Sequence, residues 1–279
     1  MTRRGTAYLL MLPALAWLAV FFLIPTVTLV SQSLQEGSLE EGYVVTGNVG
    51  IYADVLRDYA PQFLRSLLYA GIATVAALLI AYPLAYTIAL KAGRWRNVLL
   101  VLVVAPFFTS FLVRTLAWKI ILGDDNLVVD ALRFVGVLGD DGRMLATPFA
   151  VICGLTYNFL PFMTLPLYAS LEKLDGRLLE AANDLYAGAF TAFRKVTLPL
   201  SMPGVVGGTL LTFIPAAGDY VNVEFLGTPQ TSMIGNVIQS RFLVVGDYPA
   251  AAALSVILMV TIVVMVMVYV RRAGTEELV

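Results

Sequence analysis

Five stretches of this chain carry no charged residue over a length that crosses a lipid bilayer. They are Gly5–Gln35 (31 residues), Ser66–Leu90 (25), Leu145–Leu171 (27), Val196–Gly218 (23) and Tyr248–Val270 (23). A hydrocarbon core of ~30 Å needs about 20 apolar residues in helical form. A sixth run, Asn97–Val113, has 17 residues. It reaches spanning length only if it continues to Leu122, which puts Arg114 and Lys119 near its far end. A backbone in lipid must satisfy its own hydrogen bonds, so these runs are expected to be helices. No run alternates with the period of two that barrel strands require. The expected fold is an all-α integral membrane protein of six helices, spanning about 7–33, 64–90, 98–122, 147–170, 204–226 and 247–270. Composition agrees. The chain is 59% hydrophobic and 13% charged, with a mean hydropathy of +0.84, against about 25% charged in soluble domains.

Lys and Arg set the direction. With the N-terminus inside, the inner segments hold Arg3, Arg4, Lys91, Arg94, Arg96, Lys173, Arg177, Arg194, Lys195, Arg271 and Arg272, which is 11 of the 18 basic residues. Basic residues concentrate in short cytoplasmic loops, so both termini are expected inside. The first apolar run is too long for the h-region of a signal peptide and reads as a retained helix. The outer loops, about 34–63, 123–146 and 227–246, are too short for a soluble catalytic domain. No internal repeat is visible, which weighs against a secondary carrier built from inverted halves. The chain has no His, so His-ligated metal and His-based triads are excluded, and the lone Cys153 allows no internal disulfide. A net charge of −1 carries no nucleic-acid signal. No phosphate-binding loop of the G-x-x-x-x-G-K-[ST] kind is present.

One stretch between the fourth and fifth spans does not suit lipid. Glu180–Leu200 reads EAANDLYAGAFTAFRKVTLPL. Its first half has strong helix formers, Gly188 is placed to end or bend that helix, and Pro199 and Pro203 mark the return to the membrane. The insert, about 172–203, is expected as two short helices exposing Tyr186, Phe190 and Phe193 beside Arg194 and Lys195. An aromatic patch with Arg suits protein docking. An amphipathic helix lying on lipid is the alternative.

Charged residues within spans are costly and point to function. Asp219 and Glu224 fall in the outer part of the fifth span, with Pro215 and Gly218 just ahead and Tyr220 beside them. A carboxylate, an aromatic ring and freed carbonyls suit an ammonium group. The alternative partner for Asp219 is Arg114. Arg114 and Lys119 either snorkel to the headgroups or line the path. The acidic residues of the outer loops are solvated or gather cations.

The insert resembles the Glu-Ala-Ala loop of the permease subunits of ATP-binding-cassette importers, with Glu180, Ala181, Ala182, Leu198 and Pro199 matching. The family has Gly six residues after the Glu, where this chain has Tyr186. Gly188 follows two residues later. The resemblance implies a cytoplasmic coupling helix that seats in a groove of an ATPase subunit, with Glu180, Ala181, Ala182, Asp184, Tyr186, Gly188, Phe193, Leu198 and Pro199 as coupling residues. Two further stretches, APFFTSFLVRTLAWKIILG (105–123) and FIPAAGDYVNVEFLGTPQTSMIGNVI (213–238), are similar to the permeases of spermidine/putrescine importers. The resemblance then implies a multi-pass protein of the bacterial cytoplasmic membrane moving a small cationic solute. Its expected partners are two ATPase subunits that bind ATP and Mg, a second and different permease chain, and an extracytoplasmic binding protein. The chain itself is expected to hold no cofactor and to hydrolyse no ATP. Asp219, Tyr220, Glu224 and Arg114 become candidates for the path. A self-sufficient carrier, an importer of another amine or zwitterion, and a non-transporting scaffold are the rival readings.

Overall fold

A computed structural model describes residues 3–136, 138–139 and 142–273. The side chains of 3–10 and of residues 183 and 273 lie outside that description, as do Asp140 and Asp141 of the acidic outer loop. The chain divides into two compact units, one of residues 3–60 with Val237–Thr261, the other of Pro61–Asn236 with residues 262–273.

In the first unit, α1 (Arg3–Leu18) passes through a π turn, Ala19–Leu23, into α2 (Ile24–Ser33). A β-hairpin follows, β1 (Gln35–Ser38) with β2 (Gly42–Val45), antiparallel with Gln35 opposite Val45. An all-helical fold was expected, so this hairpin is a correction. Its three-residue link, 39–41, is followed by Gly42, the first residue of β2, at φ +83°, the left-handed position that closes such hairpins. The Tyr43 hydroxyl donates to the Gly246 carbonyl, and its ring meets Tyr248 edge-on at 5.4 Å. The helix α3 (Gly50–Tyr86) begins in this unit and its 37 residues extend about 55 Å, longer than the bilayer core. Residues 50–63, read from sequence as loop, are its charged first turns. α13 (Ile234–Ser240) leads through the π turn Arg241–Val245 to α14 (Tyr248–Ala273). Arg241 pairs with Asp247 at 3.2 Å and bonds the Tyr59 hydroxyl.

The second unit holds the main core. From the rest of α3, the chain runs through α4 (Arg96–Val104), α5 (Phe111–Ile121), α6 (Leu127–Phe134), α7 (Pro148–Glu172), α8 (Gly176–Asp184), α9 (Ala189–Ala192), α10 (Leu198–Leu200), α11 (Met202–Ala217) and α12 (Val221–Leu226). α7 is the centre of packing. One apolar cluster joins Ala70, Ala73, Leu155, Ala217, Leu226 and Met233. The other joins Ala81, Ile88, Met163, Leu167 and Leu171. α11 lies close on α7 because Gly204 and Gly208, four residues apart, face it. A Cβ at Gly204 would stand 2.8 Å from the Pro166 carbonyl oxygen, and one at Gly208 3.0 Å from that of Met163. Small residues at this spacing let membrane helices approach backbone to backbone.

The third apolar run is not one straight helix. α4 passes into a tight turn at Ala105–Phe108, Thr109 is extended at ψ 148°, and α5 leaves at 96° to the preceding segment. Pro106 has no N–H to continue an α-helix, and its carbonyl takes both the N–H and the hydroxyl of Thr109. A second bend, of 66°, falls at Ser201 between Pro199 and Pro203. Among the described residues, four helices are long and apolar enough to cross a membrane: Met11–Ser33, Gly50–Lys91, Pro148–Glu172 and Tyr248–Arg272. The two bent pairs raise the number to as many as six. The protein is a mostly helical membrane protein.

Candidate functional site

Two helix interruptions hold the residues singled out from sequence. The first is buried. α11 ends at Ala217, and Gly218, Asp219 and Tyr220 form a break before α12. Pro215 stands in the last turn of α11. Asp219 is 8% exposed. Its Oδ1 accepts the Asn222 backbone N–H at 2.8 Å and the Asn222 side-chain amide at 3.2 Å. The first bond satisfies a donor left over in the opening turn of α12, as capping carboxylates do.

Arg114 does not pair with Asp219. It is 9% exposed, so it does not snorkel, and its guanidinium carbon lies 5.6 Å from the ring centres of both Phe107 and Phe111. Its Nε and Nη1 have no hydrogen-bond partner among the described residues. The 96° bend is the reason: it turns α5 so that Arg114 and Thr115 face inward, while Lys119 stays exposed. Tyr220 is partly exposed and its carbonyl accepts the Asn236 amide at 2.9 Å. Glu224 is exposed and borders a cavity of about 190 Å³ with Thr228, Ser232 and Asn236. The structure thus brings Asp219, Tyr220 and Glu224 to one end of α12 and holds Arg114 apart from them, with no ion-pair partner among the described residues.

Sequence reasoning missed three buried polar residues of this region. Thr115, Asn158 and Asn222 have essentially no exposure, and the Asn158 amide donates to Thr115 Oγ1 at 3.2 Å and to Asn222 Oδ1 at 2.9 Å. The signal was available. Asn158 lies inside the charge-free run Leu145–Leu171, where a polar side chain is out of place as a charge is.

The second interruption is exposed. α8 carries Glu180, Ala181 and Asp184 outward and buries Ala182. The turn that ends it is not at Gly188. It is at Tyr186, with φ +56°, the place where the importer loop has Gly. The Leu185 N–H donates to the Ala181 carbonyl, and the Ala187 N–H reaches back to that of Ala182 at 3.0 Å. This is the six-to-one closure of a helix C-terminus whose next residue is left-handed. Gly188 (φ −61°, ψ 156°) instead precedes α9. Tyr186 is 98% exposed, and Phe190 is exposed nearby. Phe193 was expected in that patch, but it turns inward and meets Tyr82 edge-on at 5.4 Å. The Tyr82 hydroxyl bonds Ser201 Oγ at 2.6 Å, which anchors the loop where α11 begins. Leu198 is half-buried and Pro199 exposed.

Residues 81–273, which include both interruptions, match the model of the family described as binding-protein-dependent transport system inner membrane component. The chain belongs to that family. It is 40% identical to the spermidine/putrescine transport system permease protein PotB of Haemophilus influenzae, over 92% of this chain and 90% of that protein. It is 37% identical to the PotB of Escherichia coli, over 92% of this chain and 94% of that one. Among solved structures, a bacterial ABC transporter involved in the import of the acidic polysaccharide alginate aligns with a TM-score of 0.69. The identity is 18%, over 97% of this chain and 96% of that chain. A bacterial alginate ABC transporter in complex with an alginate pentasaccharide-bound periplasmic protein aligns at 0.72, with 17% identity, over 99% of this chain and 96% of that one. These two carry the fold alone. The chain is an ABC importer permease subunit of the inner membrane, as the loop and the two apolar stretches suggested.

Proposed function

We propose that this permease moves a small cationic solute of the polyamine class, spermidine or putrescine, into the cytoplasm. The observation that carries the solute class is the 40% identity, over 92% of the chain, to a spermidine/putrescine permease. A buried carboxylate with no basic partner among the described residues supports it. In this reading the chain has six spans, about 7–33, 64–90, 98–122, 147–170, 204–226 and 247–270, with both termini inside and the loop 172–203 on the cytoplasmic face. α8 seats in one of two ATPase subunits, which bind ATP and Mg. A second, different permease completes the path, and an extracytoplasmic binding protein delivers the solute. Closure of the ATPases pushes α8, and the inward-turned Phe193 and the Ser201 bend carry that movement to α11. At the other end of α11, Asp219 receives the ammonium group, with Tyr220 and Glu224 beside it. Arg114 adds a fixed positive charge on the α5 wall of the path.

The test is uptake by cells lacking other amine importers, expressing this chain with its ATPase, sister permease and binding protein. Labelled spermidine or putrescine is expected to accumulate, and an excess of unlabelled polyamine, but not of neutral or zwitterionic amino acids, is expected to compete. Uptake of only zwitterionic solutes overturns the solute class. Uptake that persists without the ATPase overturns the importer assembly.

A further inference from the structure

The carboxylate at the break is the end of a chain of hydrogen bonds that runs through three helices. Thr115 Oγ1 on α5 donates to the Phe111 carbonyl at 3.1 Å and accepts from Asn158 Nδ2 on α7 at 3.2 Å. Asn158 Nδ2 also donates to Asn222 Oδ1 on α12, at 2.9 Å, and Asn222 Nδ2 donates to Asp219 Oδ1 at 3.2 Å. The direction is forced. An ionised carboxylate only accepts, so Asn222 must turn its amide nitrogen to Asp219, which leaves its oxygen to accept from Asn158. The far end is tied to α5 within one residue of the bend-directed Arg114.

The break cannot shift without disturbing this chain. A Cβ at Gly154 on α7 would stand 2.7 Å from Asn222 Oδ1, and one at Gly235 on α13 would stand 2.6 Å from the Gly218 backbone carbonyl oxygen and 2.9 Å from that of Asp219. Bare glycine backbone therefore packs against the Asn222 side chain from α7 and against the backbone of the break from α13. Buried amides are a costly way to fill a membrane protein's interior, and apolar side chains would serve packing better. What the amides do that apolar groups cannot is to occupy one oxygen of Asp219. Oδ1 takes two N–H donors, and Oδ2 takes none among the described residues.

We propose that Asn158 and Asn222 are positioning residues that set the specificity of the Asp219 site by leaving it a single free oxygen. This rests on the reading above, in which Asp219 meets the solute's cation. A primary ammonium is a compact point charge that a single oxygen can receive. A guanidinium is a planar fork that binds best to both oxygens of a carboxylate at once. With Oδ1 occupied, the fork loses half of its match, so the site favours alkylammonium over guanidinium solutes. Loss of the Asn158 amide frees Asn222 to rotate, which leaves Oδ1 with its backbone donor alone and opens its second acceptor position to a fork.

The experiment compares 1,4-diaminobutane with its monoguanidino analogue in the reconstituted four-component importer, with the same wild-type binding protein saturated by either solute. The ratio of the two uptake rates then changes only through the permease. Asn158→Leu, close to Asn in size, is expected to move that ratio toward the guanidino solute by about tenfold, the effect of losing one hydrogen bond to a charged group. An unchanged ratio, whether both rates persist or both fall together, overturns the positioning role, because structural damage lowers both alike. If Asn158→Leu does not assemble, Asn222→Ser makes the same measurement. It removes the amide donor from Oδ1 and keeps the backbone donor, and an unchanged ratio there overturns the proposal equally. Asp219→Asn is the separate control. Wild-type uptake of both solutes in that variant sinks the underlying reading of Asp219, whereas a shifted ratio requires both to hold.

Discussion

The two interruptions that define this permease are built in opposite ways. At the break before α12, Gly235 admits close backbone approach and Gly154 makes room for the Asn222 side chain, and Asp219 Oδ1, the Tyr220 carbonyl and the Asn222 N–H all have partners. At the end of α8, a bulky Tyr186 holds a left-handed conformation at φ +56° while 98% exposed. A residue with a Cβ gives up roughly 1–2 kcal/mol there, and contacts of a side chain so exposed return almost none of it. The buried break is stabilised by its own chain. The exposed turn carries strain that its own side chain does not offset. Strain without an internal partner fits a docking surface, and internal satisfaction fits a site whose geometry must persist between transport cycles.

The sharpest way to break this contrast is at α8. Glu180 is exposed on the helix proposed to dock. Glu180→Lys is expected to leave the membrane region folded and to reduce both uptake and the ATPase stimulation given by loaded binding protein to background. Wild-type values of both measurements would remove α8 from the coupling role.

The next effect in size lies at the break. Asp219→Asn keeps the shape and the bonds from Asn222, and removes the charge. A charge-assisted hydrogen bond contributes about 1.5–3 kcal/mol, so uptake is expected to fall roughly 10- to 150-fold with assembly intact. Because Arg114 and Asp219 do not pair, adding Arg114→Gln is expected to restore nothing. Recovered transport in the double variant would show an ion pair in another conformation, and would make the carboxylate structural.

The smallest effect separates strain from surface at Tyr186. Tyr186→Gly removes both ring and strain, while Tyr186→Ala removes the ring alone. The Gly variant is expected to exceed the Ala variant in stability by about 1 kcal/mol, read as a higher melting temperature. Both are expected to lower uptake equally, since the missing ring is common to them. Unequal uptake would mean that the conformation of the turn, not the ring, is what the partner reads.

Much of the fold was legible before any coordinates. Charge-free runs of bilayer length determined that the chain is a membrane helical protein, because lipid leaves the backbone only helices or closed barrels and no run alternates as barrel strands do. The loop Glu180–Leu200 stood out because its charges do not belong in lipid, and Asp219 stood out for the same reason. These are one-dimensional facts about composition along the chain. What stayed hidden depended on residues distant in sequence meeting in space. Asn222, with Asn158 and Thr115 behind it, holds Asp219, and Arg114 does not. That choice follows from the 96° bend after Pro106 and from the bare Gly154 and Gly235. The hairpin of residues 35–45 is held by Tyr43 against Gly246, about two hundred positions away. The left-handed turn at Tyr186 overrode the local preference for Gly188, since the closure from Ala187 to Ala182 falls only there. Hydropathy determines which segments enter the membrane. Which polar group meets which inside it is decided by packing, because a hydrogen bond needs its donor and acceptor within about 3 Å of each other, and only the folded chain brings them that close.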